Sequence, residues 1–311
     1  MSYVKNIKTI NSDGQLLMTE VDDDTPDILE NPAINYSLFP TEKYIEYCKK
    51  TNRAFDLYSS KGCPFDCTFC YKISKKKVRY RSLEIIAEEI NYLKKTHGIN
   101  RFCFVDDNFG VNKKWLSSFL EFAANNDIKY CIQSSIHLLW DKKKLSDLKR
   151  TGLYSITIGV ESGSPQILKE MQKQISLDKA SDVMKWCREL GIAYYGSFIL
   201  GYPSENDETI NQTSQFLIKN GFKTNFNLNF LALYPKTGIY QHAINNGLLM
   251  DEKKYLKNIG LRNELVVNLT KFPDKTLYSW RDKILKEIAQ YHGMAYTDPG
   301  LNSLRIKNIG E

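Results

Sequence analysis

The chain has no apolar run near the ~20 consecutive residues that a membrane-spanning helix needs. The longest runs, such as the one ending at Leu233, fall far short. Nor does an apolar stretch follow the amino terminus, MSYVKNIKTINSD, so a secretory signal is not expected. Histidine is scarce. The four, at positions 97, 137, 242 and 292, are isolated from one another, which removes the paired spacing of a histidine-containing zinc site. Without a secreted context, the seven cysteines do not read as a disulfide framework. These absences point to a soluble, cytoplasmic protein.

Composition excludes disorder, with 42% apolar and 25% charged residues, and 311 residues can bury one large core or two modest ones. The net charge of +7 comes from lysines spread along the chain. The densest group is Lys75, Lys76, Lys77, Arg79 and Arg81. No aromatic interleaving or nucleic-acid module accompanies it, so it reads as a solvated face, and nucleic acid is not expected as a partner.

Residues 1 to about 50 read as an irregular lead-in, marked by Asp22, Asp23, Asp24, Pro26, Pro32 and Pro40. Regular alternation follows. Strands are expected over 54–60, 101–106, 128–135, 154–161, 192–200 and 225–233. Helical segments follow the first five, among them 82–96, 113–125, 141–150 and 205–220. Helix-separated strands of nearly continuous apolar content imply a parallel sheet covered on both faces. Right-handed crossovers leave a doubly wound sheet or a barrel, and periodicity does not separate them. Residues 51–235 form this core, and 236–311 read as a mainly helical extension with a helix near 276–291.

Three of the seven cysteines fall within eight residues, in Gly62-Cys63-Pro64-Phe65-Asp66-Cys67-Thr68-Phe69-Cys70, just after the first strand. Structural zinc wants four ligands, and an electron-transfer [4Fe-4S] cluster normally takes four cysteines. Three thiolates leave one iron of a [4Fe-4S] cluster open to bind a substrate directly. Cys48, Cys103, Cys131 and Cys187 sit alone in apolar stretches and are expected to act as small buried hydrophobes.

The C-x3-C-x-aromatic-C run resembles the signature of the radical S-adenosylmethionine (radical SAM) superfamily. The resemblance spans roughly residues 33 to 260. It implies a partial (β/α)6 TIM-like barrel, and a [4Fe-4S] cluster on Cys63, Cys67 and Cys70. It further implies reductive cleavage of S-adenosylmethionine to a 5'-deoxyadenosyl radical, which abstracts hydrogen from a small-molecule or peptide substrate. An electron donor such as flavodoxin or ferredoxin follows from that chemistry. Phe69 matches the aromatic that packs on adenine, and can equally be an apolar anchor for the loop.

Ligands meet the carboxyl ends of strands in parallel barrels. Asp106 and Asp107 resemble the family's methionine-amine station, and could instead cap the next helix. Glu161, in Gly159-Val160-Glu161-Ser162-Gly163, matches a G-x-E-S-G station for the ribose or the methionine group. Gly201 resembles the strand-five position where backbone flanks adenine, while Glu205 reads as a first-turn helix residue. Many relatives carry an arginine near the end of the third strand. Here Ser134 and Ser135 stand there, able to hydrogen-bond a ribose or carboxylate but without charge. His137 is a candidate proton donor or substrate contact, or a structural residue. Lys236 replaces the glycine of a P-G-T turn after the sixth strand, which suggests a tighter or shifted turn. Asn227, Asn229 and Tyr234 are candidates to face the substrate.

Asn35-Tyr36-Ser37-Leu38-Phe39-Pro40 together with the S-x-G-C-P run is especially similar to the branch that holds anaerobic magnesium-protoporphyrin monomethyl ester cyclase and cobalamin-dependent methylases. In that branch a cobalamin domain precedes the barrel. No D-x-H-x-x-G motif occurs here, so cobalamin-independent chemistry is expected, with a methyltransferase partnered by a separate cobalamin protein as one alternative. A non-enzymatic iron–sulfur sensor or electron carrier is the other.

Overall fold

The computed structural model describes residues 8–10, 16–18, 28–29, 31–71, 76–259 and 264–296. Six strands share one sheet: β1 (Phe55–Leu57), β2 (Arg101–Phe104), β3 (Lys129–Gln133), β4 (Leu153–Glu161), β5 (Ala193–Leu200) and β6 (Phe226–Phe230). Each neighbouring pair is parallel, and the order in space is the order in the chain.

That order separates the two architectures. A doubly wound sheet reverses its strand order at a switch point. Here it never reverses, so successive right-handed crossovers all fall on one face. Helices α1 (Leu83–His97), α2 (Lys113–Asn126), α3 (Lys142–Arg150), α4 (Leu177–Glu189) and α5 (Asp207–Lys219) coat that face. The sheet curls around the other, with β1 and β6 as its edges among the described residues, giving an open (β/α)6 barrel.

Alternation along the strands sorts side chains between the two faces. Ile156, Ile158 and Val160 of β4, and Phe198 and Leu200 of β5, are buried under the helices. Thr157, Gly159, Ser197, Asn227 and Asn229 face the bore, half-buried. The bore is thus polar and the outer layer apolar, each buried Ile or Phe contributing roughly 1.5–3 kcal/mol. All five crossover helices carry a side-chain cap, from Ser82, Asn112, Asp141, Ser176 and Asn206, each accepting a first-turn backbone N–H. Such caps stabilise a helix start by about 1 kcal/mol apiece.

The lead-in is more regular than its prolines suggest. Thr41–Thr51 is a helix that starts directly after Pro40, buries Ile45 and stops at Asn52 in a left-handed conformation. Lys8–Ile10 pairs antiparallel with Leu16–Met18. Asp22, Asp23, Asp24, Pro26 and Lys75 lie outside the described residues. The basic group near residue 80 is not a solvated face throughout. Arg81 is 1% exposed, its guanidinium paired with Glu89 at 2.5 and 3.1 Å and set over the Tyr58 ring.

The carboxyl-terminal part is no appendage. In α6 (Asp274–Tyr291), Leu277, Trp280, Ile284 and Ile288 join the main core, and the Trp280 indole donates to Asp207 Oδ1 at 2.6 Å. Two shorter helices, Gly238–Asn245 and Glu252–Asn258, sit on a second apolar cluster with Met171, Tyr202, Leu231 and Leu233. Among the described residues no helix is long and apolar enough to cross a membrane.

Candidate functional site: a three-thiol loop over the strand ends

A two-residue antiparallel pair, Ser60–Lys61 with Arg79–Tyr80, closes the base of the loop that leaves β1. Beyond it the loop carries Cys63 and Cys67, half-buried, and Cys70, exposed, none of them in a disulfide. The Cys70 amide donates to the Cys67 carbonyl at 3.2 Å, turning the two side chains about a common bend. Among the described residues no three cysteine, histidine or carboxylate side chains converge on a point suited to a single metal ion. A [4Fe-4S] cluster asks for a different arrangement, because each thiolate binds a different iron.

The acidic pair after β2 holds this loop at its root. Asp106 is 2% exposed. Its Oδ1 accepts the Ser59 amide at 2.6 Å, and its Oδ2 accepts the Ser59 and Ser60 hydroxyls at 2.5 and 2.7 Å. Burial pushes this carboxyl above its ordinary range, against the pull of those donors. Asp107 is exposed and accepts the Gly62 amide at 2.8 Å. Neither carboxylate caps the following helix, whose cap is Asn112.

Across the barrel mouth, Thr68 pins the loop to segments that follow three other strands. Its amide donates to the Met171 carbonyl at 3.0 Å, its carbonyl accepts the Ile239 amide at 3.0 Å, and its hydroxyl meets the Tyr202 hydroxyl at 2.8 Å. Cys63 and Cys67 lie between these anchors, and Cys70 two residues beyond the second. Phe69 lies half-buried against the second apolar cluster, with the Lys173 ammonium 6.0 Å from its ring centre. His137, exposed, stacks at 5.3 Å on Phe65 of the same loop.

Glu161 ends β4 in a left-handed conformation, φ 73°, where the register against β5 also slips. A non-glycine residue there is strained and persists only where its surroundings hold it. What holds it is Lys173, whose ammonium lies 3.1 Å from Oε1, with side-chain exposures of 8% for Glu161 and 16% for Lys173. Burial pulls the Lys173 ammonium down, but Glu161 and the facing Cys67 and Cys70 thiols outweigh it and hold it above its ordinary range. The strand leaves room for this arrangement at Gly159, where a Cβ would lie 2.3 Å from Glu161 Oε1. Gly163 serves a different close approach, since a Cβ there would meet the α5 backbone at 2.6 Å.

After β5 the chain turns at Gly201, φ 101°. Glu205 is not a first-turn helix residue. It lies 1% exposed beneath that turn, with one oxygen accepting the Gly201 amide and the other without a partner, and α5 starts two residues later. Burial raises its carboxyl to about 8. The fold therefore binds this proton more tightly than the unfolded chain, so the stabilisation is complete in acid and is lost as pH rises through about 8. Thermal stability is expected to fall between about pH 5 and about pH 9, by on the order of a few kcal/mol from this group. Glu205→Gln should flatten that slope in calorimetric scans. Parallel slopes in the two proteins would remove Glu205 as its source.

At the ends of β2 and β3, Asn108 accepts the Ser135 amide at 2.9 Å and leaves its own buried Nδ2 unpaired. The Ser135 and Ser164 hydroxyls and Asn227 Oδ1 are likewise buried without partners. Orphaned polar atoms are costly unless something fills them. After β6, Lys236 keeps the turn open to the next helix by adopting φ 68° in place of a glycine, and Thr237 caps that helix. The Tyr234 ring lies 6.1 Å from Tyr71 of the thiol loop.

The arrangement thus unites Cys63, Cys67, Cys70, Phe69, Asp106, Asp107, Glu161, Ser135 and Gly201 on the mouth side of the barrel. Lys173, Thr68, Tyr202 and Asn108 carry no signal in the sequence that marks them for the site. Lys173 lies in no motif, and only its approach to Glu161 and the Phe69 ring in the folded chain brings it into view. Gly159 was visible as the first letter of G-x-E-S-G, but its reason for being glycine is the carboxylate two residues on.

A barrel whose first strand feeds a three-thiol loop, with polar groups converging on the mouth, defines an iron–sulfur cluster barrel of the S-adenosylmethionine-cleaving kind. A family model, the Radical SAM superfamily, matches residues 57–217, and the chain belongs to that superfamily. It is similar to an uncharacterized methyltransferase of Pyrococcus horikoshii, 29% identical over 94% of this chain and 64% of the relative. It is also similar to the bacteriochlorophyllide d C-8(2)-methyltransferase of Chlorobaculum tepidum, 29% identical over 65% of this chain and 48% of that one. Among solved structures, the cobalamin-dependent S-adenosylmethionine radical enzyme OxsB with aqua-cobalamin bound superposes with a TM-score of 0.60. That match has 17% identity and covers 97% of this chain and 44% of OxsB, which bears out the partial-barrel fold. The chain spans about half to two thirds of the length of these curated relatives.

Proposed function

We propose that the protein is a radical S-adenosylmethionine enzyme that abstracts hydrogen from a small-molecule or peptide substrate in the bore. The observation carrying this reading is the thiol loop, pinned at Asp106 and Thr68 over strand ends that present orphaned polar atoms. Cys63, Cys67 and Cys70 would hold three irons of a [4Fe-4S] cluster. Once bound, the cluster and S-adenosylmethionine supply one electron and, by C–S cleavage, a 5'-deoxyadenosyl radical.

The chain's own residues bind and orient. Glu161 and Lys173 present a carboxylate and an ammonium 3.1 Å apart, complementary to the ammonium and carboxylate of an amino-acid group. Asn108 Nδ2 and the Ser135 hydroxyl offer hydrogen bonds suited to ribose or carboxylate oxygens. Asp106, with both oxygens engaged, acts through the loop it braces. Phe69 flanks the site as an apolar wall, and the turn at Gly201 offers backbone for close approach. Asn227 and Asn229, half-buried on the inner face, line the bore for a neutral polar substrate. Seven cysteines, none in a disulfide, suit a reducing cytoplasm, where a flavodoxin or ferredoxin supplies the electron.

The test is anaerobic reconstitution with iron and sulfide, then addition of S-adenosylmethionine and dithionite, following 5'-deoxyadenosine by chromatography. Release of 5'-deoxyadenosine is the expected result. A stable cluster without cleavage would favour a sensor or carrier, and a colourless protein retaining zinc would overturn the reading. The two methyltransferase relatives favour one second reading, methyl transfer with a separate cobalamin protein. Dependence of turnover on added cobalamin would distinguish it.

A further inference from the structure

Two of the cysteines that stand alone in the sequence meet in the fold. Cys103 on β2 and Cys131 on β3 are Cα partners in the parallel register. Their neighbours Phe102, Phe104, Tyr130 and Ile132 are buried on the helix side, so both thiols point into the bore, where each is half-buried. Neither acts as the buried hydrophobe expected of a lone cysteine. Only Cys187 does, fully enclosed in α4 with its thiol pushed up to about 12 by burial.

We propose that Cys103 and Cys131 form a dithiol site, separate from the cluster cysteines, that a small-molecule disulfide oxidises to an intramolecular disulfide. Adjacent strands lie about 4.8 Å apart. That spacing falls within the range of roughly 4.4–6.8 Å between Cα atoms that a disulfide bridges. The two side chains leave the sheet in the same direction, so closure asks their Cβ atoms to draw in from about the strand spacing to the roughly 3.5–4.5 Å that a disulfide needs.

The surroundings assign the two sulfurs different roles. The facing Cys131 side chain and burial hold the Cys103 thiol above its ordinary range, while Cys131 lies below it. Tyr154, and the Arg101 guanidinium that lies over the Tyr154 ring at 4.7 Å, favour charge on Cys131. Asp56, aligned with Cys103 from β1, and Asp106 act in the opposite sense, opposing thiolate charge. Cys131 is thus the nucleophile and Cys103 the resolving thiol. The Cys131 thiolate attacks a disulfide RSSR, forming a mixed disulfide and releasing RS⁻. Cys103, losing its proton, then attacks the Cys131 sulfur and releases the second RS⁻. The protein dithiol is oxidised by two electrons, and RSSR is reduced to two thiols.

The experiment treats the anaerobically reconstituted protein with oxidised glutathione and maps adducts residue by residue by peptide mass spectrometry, so its outcome does not depend on what Cys63, Cys67 and Cys70 bind. The expected product is a Cys103–Cys131 disulfide, formed about tenfold or more faster than any adduct at Cys48. Cys103→Ser should stop at a stable glutathione adduct on Cys131. Cys131→Ser should leave Cys103 as slow as Cys48. Separate, unlinked adducts on both sulfurs, or equal rates at Cys48 and Cys131, would overturn the proposal.

Discussion

Replacing Cys63, Cys67 or Cys70 with alanine, one at a time, is expected to leave a reconstituted protein without its iron–sulfur absorbance. Release of 5'-deoxyadenosine should fall to background, a loss of several orders of magnitude. The same change at Cys48, Cys103 or Cys187 should leave iron content within a factor of about two. The contrast follows from placement. The three loop thiols share one excursion between β1 and α1, anchored at Ser59, Ser60, Gly62 and Thr68. Cys187 is enclosed in α4, Cys103 faces the bore, and Cys48 donates weakly to the Ala54 carbonyl at 3.7 Å behind β1. A cluster left with two thiolates has a second iron without a protein ligand and no fixed position over the strand ends. Iron and sulfide analysis of each variant is the measurement. Equal losses from the two groups of cysteines would break the assignment of the loop.

The Glu161–Lys173 pair should give the second-largest effect, and it separates binding from folding. Both side chains are nearly enclosed, so removing one charge strands the other. Glu161→Gln or Lys173→Met should each destabilise the fold by on the order of 3–5 kcal/mol. Each should also weaken S-adenosylmethionine binding about tenfold or more. In the double variant neither charge is stranded, so stability should largely return while affinity stays low. Denaturant titration and equilibrium binding on all three variants read the two quantities separately. Recovery of both in the double variant would make the pair purely structural and remove it from the binding site. Unchanged affinity in the single variants would do the same.

Much of this was legible along the chain because it depends on local spacing. The five capped helices, the stop at Gly98 and the six strand positions follow from periodicity and terminator residues that act within a few positions of themselves. The thiol triplet belongs to the same class, since C-x3-C-x2-C is a statement about one loop. Where sequence reading erred, local signals misled it. Pro40 reads as a loop marker but stands just ahead of a helix, and Glu205 two residues before α5 looks like a dipole partner although it is buried under Gly201.

Register and crossover, by contrast, are set by packing between segments far apart in the chain. The sequence by itself determined that a parallel, helix-covered sheet carries a three-thiol loop on its first strand. Only the tertiary structure decided that the strands follow one another without reversal and so curl into a barrel. It alone brought Lys173 beside Glu161, turned Asp106 toward the root of the loop, and set Cys103 against Cys131. The physical reason is that a side chain's neighbours across a sheet are chosen by hydrogen-bond register, which no spacing along one strand records.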